Sequence, residues 1–238
     1  MDETYADAYA RLYREHWWWR VREQILLRKL DVLLAGSRDA KILDIGCGAG
    51  LFFDALDAYG HVEGVESDPI TVQQSGRWRA RIHLGQLDTL PPGAYDVILM
   101  LDVLEHLERP EAVLRQAVAR LAPQGVVLIT VPAFQWLWTN HDALNHHVKR
   151  FNSAELARLV RAVGLDLIEV RYMFQSLVVP KLLVRAKQAL SPALPSVPRI
   201  PRPAVNKAVT AWFQLENAIA GSLPFGSSLL AVARRAKA

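Results

Sequence analysis

The chain of 238 residues has one cysteine, Cys47, so no internal disulfide is available and the fold must rest on packing. A lone thiol suits a reducing compartment, which gives the expectation of a cytoplasmic protein. Long apolar runs are missing too. No stretch reaches the roughly 18 to 20 apolar residues, free of charge and proline, that a membrane-spanning helix needs. The opening residues, Met1-Asp2-Glu3-Thr4-Tyr5, lack the basic-then-apolar order of a secretion signal. There is no internal repeat. The formal net charge of +4 is too small to indicate nucleic acid by itself. Outside residues 175–226 no compact basic stripe with interleaved aromatics occurs, which disfavours RNA. These absences predict a soluble protein, or one peripheral to the inner face of the membrane, with no nucleic-acid partner.

Hydrophobic residues make up 51% and charged residues 22%, enough for a packed core. Residues 5–35 carry apolar positions at helical spacing and read as an N-terminal helical cap over 1–35. The triplet Trp17-Trp18-Trp19 interrupts it. Three adjacent indoles cannot share one helix face, so they read either as packing at a seam or as a lid or membrane-facing feature. Short apolar runs then alternate with helical stretches. Strands are predicted at 41–45, 61–66, 81–84, 95–101, 125–131, 165–174 and 227–233, with helices between. That alternation implies an α/β fold: a doubly wound, seven-stranded, mostly parallel sheet with right-handed crossovers. The whole chain reads as one domain, with its cofactor-binding core at 36–174 and the last strand and tail at 227–238. In such sheets ligands bind beyond the carboxyl ends of the strands.

Beyond the first strand lies Gly46-Cys47-Gly48-Ala49-Gly50, preceded by Asp44. A dinucleotide fingerprint requires a third glycine at position 51, where this chain has Leu51. Glu66 ends the second strand, where a carboxylate can accept both hydroxyls of a ribose. Taken with Asp88-Thr89-Leu90-Pro91, Tyr95-Asp96-Val97-Ile98, Leu104-Glu105-His106-Leu107 and Leu121-Ala122-Pro123-Gln124-Gly125, the loop resembles class I S-adenosylmethionine-dependent methyltransferases. The likeness is to the type 11/12 subgroup of ubiquinone-pathway O-methyltransferases and natural-product methyltransferases, and it covers about residues 40–175. Gln124 departs from the glycine usual there.

The resemblance implies S-adenosyl-L-methionine as cofactor. It places Asp44, Gly46, Cys47, Gly48, Gly50, Glu66, Ser67, Leu87, Asp88, Leu101 and Asp102 in the cofactor site. The loop would lie along the methionine part, Glu66 on the ribose, Leu87 and Asp88 at the adenine, and Asp102 near the sulfonium and amino group. Methyl transfer from a sulfonium requires alignment, exclusion of water and removal of a proton from a hydroxyl acceptor. Histidine is the natural base, and His141, His146 and His106 are the candidates, the first two in the loop after the fifth strand. His106 also reads as packing beside the cofactor. Asp102, Glu105 and His106 offer donors for the divalent ion linked to the ubiquinone-pathway relatives, but a capped turn without metal is the plainer reading. The chain lacks both the Asn/Asp-Pro-Pro-Tyr segment of adenine methyltransferases and the cysteines of a radical enzyme.

Residues 175–226 break the rhythm as a basic, proline-rich insert. Val178–Leu190 has the pattern of an interfacial amphipathic helix, and Arg199–Pro203 reads as a stiff extended piece. The insert either caps the acceptor pocket, touches membrane, or does both. The expected reaction is methyl transfer to oxygen of a hydrophobic or membrane-associated small molecule such as a quinone precursor, polyketide or lipid. N-methylation of an amine or amino sugar, and a non-catalytic cofactor-binding partner, are the alternatives.

Overall fold

The computed structural model describes residues 3–191, 198–219 and 223–236. Helix α1 (Glu3–Glu15) stops at His16 and the chain resumes as α2 (Trp17–Leu34). The periodicity over 5–35 predicts helices without fixing where one ends and the next begins. The break arises at His16, whose backbone is extended and whose Nδ1 accepts the Trp18 N–H at 3.1 Å, capping α2. Histidine is an uncommon cap, so the boundary carried no sequence signal. Trp17 stacks on Phe213 at 4.7 Å, while Trp19 meets His16 and Trp18 edge-on. Adjacent indoles pointing different ways thus find different neighbours.

Strand β1 (Ala40–Ile45) leads through the glycine loop to α3 (Phe53–Leu56), β2 (Gly60–Glu66), α4 (Pro69–Gln73) and β3 (Ile82–Leu84). Pro69 stands in the first turn of α4 and Asp68 caps it through the Ile70 N–H. Next come β4 (Tyr95–Leu101), α5 (Pro110–Ala119) and β5 (Leu121–Pro132). Strand β5 starts four residues earlier than the apolar run at 125 predicts, since Pro123 is tolerated near a strand's beginning. A polar loop contains the short α6 (Asn140–Leu144). Helix α7 (Ser153–Ala162) begins at a capping box of Asn152 and Glu155. Strand β6 (Leu165–Met173), α8 (Val178–Leu190), α9 (Pro203–Ile219) and β7 (Ser228–Arg235) complete the chain. Helix α8 has its predicted bounds. Pro203, expected in an extended piece, instead opens α9, where its missing N–H is harmless. Pro192 and Pro195 lie outside the described residues.

The seven strands run in the order β3-β2-β1-β4-β5-β7-β6. The sheet is mostly parallel as expected: β1–β2 and β2–β3 are parallel, and the antiparallel pairings are those that β7 makes with β5 and β6. The chain divides into two compact units. The first comprises 1–99, 120–125 and 198–215; the second comprises 100–119, 126–197 and 216–238. The first has its core in Ile42, Leu43, Val62, Val97 and Phe53, packed with Leu30 of α2. The second buries Leu128, Ile129, Leu114, Leu156, Val160 and Leu230. Near-continuous burial along β4 and β5 is what strands covered on both faces show.

Candidate active site

In the first unit the glycine loop follows β1. Gly46, Gly48 and Gly50 have φ of 71°, 57° and 69°. All three lie in the left-handed region that side chains disfavour, which is the physical reason for glycine at every second position. Glu66, at the end of β2, accepts the Gly48 N–H at 3.0 Å, together with the Ser67 and Asp68 N–H groups at 2.7 and 2.9 Å. One carboxylate therefore ties the loop to β2. Its remaining lone pairs suit a ribose diol. Leu87 is buried and Asp88 exposed on a single 3₁₀ turn after β3. These candidates gather at the carboxyl ends of parallel strands, where such folds bind ligands.

Asp44 is 4% exposed, and burial pushes its carboxyl up to about 7; Arg22 opposes the shift and Glu66 adds to it. Burial likewise pushes the Cys47 thiol far up, which keeps thiolate scarce and makes it a slow nucleophile. Its sulfur occupies space that a side chain at residue 64 would need: a Cβ on Gly64 would stand 2.4 Å from Sγ. Gly64, in the middle of β2, was not singled out from sequence, because only the packed loop reveals its neighbour.

In the second unit Leu101 ends β4 and Asp102 follows with φ 58°, a strained value for a non-glycine residue. Two hydrogen bonds with Thr130 of β5 hold it: the Asp102 N–H donates to the Thr130 carbonyl at 2.9 Å, and the Thr130 hydroxyl donates to Oδ1 at 3.0 Å. A 3₁₀ turn, Leu104–His106, comes next, with Glu105 fully buried. The His106 ring meets the His147 ring edge-on at 4.8 Å. Burial and His147 hold His106 below the ordinary imidazole range, against the charge of Asp102 and a hydrogen bond to the His146 backbone. That bond fixes one ring nitrogen and leaves the other able to accept a proton.

The loop 133–151 is built around Asp142. Arg150, almost wholly buried, grips the carboxylate through Nε and Nη2 at 2.8 and 2.9 Å and donates from Nη1 to the Ala133 carbonyl. His147 Nδ1 lies 2.9 Å from the same carboxylate, and the Thr139 N–H donates to it at 2.8 Å. Burial alone raises the Asp142 carboxyl, but His147 and Arg150 outweigh it and keep it well below the usual carboxylate range. The Val148 N–H donates to the Glu105 carbonyl at 2.7 Å, clipping the loop to the 3₁₀ turn. Phe134, φ 58°, lies between Tyr172 and the exposed Trp136, stacked on both.

Of the predicted bases, His106 stands against His147. His146 is exposed with φ 55°. His141 is hydrogen-bonded to Asn145 at 3.0 Å, and burial together with Lys181 pushes it down to about 4. Burial and Arg150 bring Lys181 of α8 down to about 8, with Asp142 and Asp102 opposing. The sequence points to the 141–147 cluster for the acceptor pocket but not to Arg150 or to the contacts among His147, Asp142, Arg150 and Lys181, since spacings of five and eight residues match no periodic signal.

The expected metal-ligand trio does not form. Asp102 turns to Thr130, and the donors that gather are those of Glu105, His106 and His147, within 4.8 Å of one another. A carboxylate with two imidazoles is a donor set that a divalent ion such as zinc can take, so the residues placed to hold an ion are these three.

A family model described as "Methyltransferase domain" matches residues 15–170. The chain is 26% identical over 188 residues to a ubiquinone biosynthesis O-methyltransferase of Cupriavidus pinatubonensis, covering 66% of this chain and 76% of the relative. It is 29% identical over 181 residues to the protein so named in Xanthomonas euvesicatoria, covering 64% and 72%. Among solved structures, a SAM-dependent methyltransferase from Thermotoga maritima aligns with a TM-score of 0.61 at 15% identity, covering 98% and 97%. A TehB-like SAM-dependent methyltransferase from Corynebacterium glutamicum aligns at 0.57 and 19%, covering 98% and 100%. At these identities the structural likeness establishes the fold.

Proposed function

The chain belongs to the class I S-adenosylmethionine-dependent methyltransferases, and from that premise we propose that it methylates an oxygen of a hydrophobic small molecule, with His106 as the base. The observation that carries the reading is His106 itself. One nitrogen is fixed on the His146 backbone, the pKa lies below the ordinary range, and the Asp102 charge is at hand to favour the imidazolium once formed. The printed names of the ubiquinone-pathway relatives support an oxygen acceptor. The aromatic stack of Phe134, Trp136 and Tyr172 supports an apolar one.

S-adenosylmethionine supplies an activated methyl group on a sulfonium. The left-handed glycines would let the loop backbone approach it, Glu66 would take the ribose hydroxyls, and Asp88 the adenine amine. Asp102, locked by Thr130, would present its carboxylate to the cationic end. His106 would take the acceptor's hydroxyl proton as the methyl group passes from sulfur to oxygen, the sulfur leaving as a neutral thioether. Asp142 and Arg150 hold the loop that carries His147 against His106.

A screen of phenols, quinols and amines with methyl-labelled cofactor tests the proposal. Label should enter a phenolic or quinol hydroxyl, and His106→Gln should cut turnover about 10²-fold or more with cofactor affinity intact. Label only in amines, or full turnover by His106→Gln, would refute it. Full turnover lost instead in His141→Gln or His146→Gln would move the base into the loop.

A further inference from the structure

Helices α8 and α9 bury only Val178 and Phe213, and beyond these each makes polar contacts with the protein while leaving most of its large apolar side chains exposed. In α8 the stripe Lys181, Arg185 and Gln188, spaced four and three apart, faces the protein. Gln188 accepts the Asn140 N–H at 3.1 Å, and Arg185 donates to the Trp136 carbonyl. Val179, Leu182, Leu183 and Leu190 lie outward, Leu183 being 67% and Leu190 89% exposed. In α9, Asn206 accepts the Trp17 N–H at 3.0 Å, Gln214 donates to Gln24, and Asn217 accepts from Arg171. Val205, Trp212, Leu215 and Ile219 face outward, Ile219 being 74% exposed. A helix on a globular surface normally does the reverse.

Charge names the occupant. No Asp or Glu lies between Glu169 and Glu216, while Lys187, Arg199, Arg202 and Lys207 are all exposed. The carboxylate of Glu216 accepts the Gln175 and Ser176 N–H groups at 2.8 and 2.7 Å, so it is turned inward. Outward apolar stripes flanked by cations alone match an anionic phospholipid surface. A second copy would set cation against cation, which disfavours self-association. Among the described residues no helix is long and apolar enough to cross a membrane, so contact of this kind lies in the interface plane.

We infer that the outward faces of α8 and α9, each in its own right, bind an anionic lipid bilayer, whatever the enzyme's methyl acceptor. The test is flotation of the full chain with phosphatidylcholine vesicles, plain or containing phosphatidylglycerol. The protein should float with the anionic vesicles, stay down with the neutral ones, and be released by high salt. Leu183→Asp with Ile219→Asp should reduce the bound fraction about tenfold. Cofactor affinity, read by calorimetry, should not change, which shows that the variant folds. If that variant fails to fold, Lys187→Glu with Lys207→Glu should weaken binding to anionic vesicles alone. No flotation of the native chain, or flotation that survives both pairs, overturns the inference. So does a concentration-dependent dimer abolished by Leu183→Asp, which would give the face to a second copy.

Discussion

Asp44 ends up buried beside Arg22 and Glu66, with a pKa near 7 where an exposed carboxyl would sit near 4. A folded-state pKa above the unfolded one means that the group's contribution is complete at low pH. That contribution fades as pH rises from about 4 through 7. A cation arriving at the loop favours the carboxylate, so cofactor binding near pH 7 should release a proton. Calorimetry in two buffers of different ionisation enthalpy measures it, and Asp44→Asn should abolish the release. No proton release by the native chain would show that the carboxyl does not feel the ligand. For Glu66→Ala, loss of charge-assisted hydrogen bonds of roughly 1.5–3 kcal/mol should weaken cofactor binding about tenfold or more. An unchanged dissociation constant in folded protein would remove Glu66 from the site. Gly64→Ala forces its Cβ into Cys47 and should cost about 1–3 kcal/mol of stability, seen as a lower denaturation midpoint.

Elements differed in how far the sequence disclosed them. The strands and the glycine loop were legible because period, burial and backbone strain all act locally there. The α1–α2 boundary, α9 and the inner order of the 133–151 loop were not. Each depends on a partner distant in sequence or on an unusual cap: His16 for α2, Asn206 and Phe213 for α9, and Arg150 with Asp142 for the loop. The same reasoning explains why the 141–147 cluster offers His141 and His146 as bases and not His147, since only the fold shows which imidazole meets Asp142. Asp142→Asn would strand the buried Arg150 guanidinium and should cost about 3–5 kcal/mol. Its depressed pKa adds a pH window: stability from this pair is present above about pH 4 and declines as the carboxylate protonates below. A melting profile that is flat in acid, or that Asp142→Asn leaves unchanged, would show the pair to be incidental.

For the molecule as a whole, chelation is the informative perturbation. Glu105, His106 and His147 could hold an ion, but transfer from a sulfonium asks only for alignment and a base, so EDTA should leave methyl transfer and thermal stability unchanged. A loss of activity restored by one divalent metal would overturn that expectation.

The solitary thiol offers one more use. Cys47 is partly accessible, sits inside the loop that receives the cofactor, and has no second cysteine to confuse a signal. A thiol-directed reagent added to the native enzyme therefore clocks the opening of that loop without any engineered label. Its reaction should be slow, because the burial that raises the thiol's pKa keeps thiolate scarce. It should slow further in proportion to cofactor occupancy, turning a half-buried sulfur into a stopwatch for cofactor entry and departure.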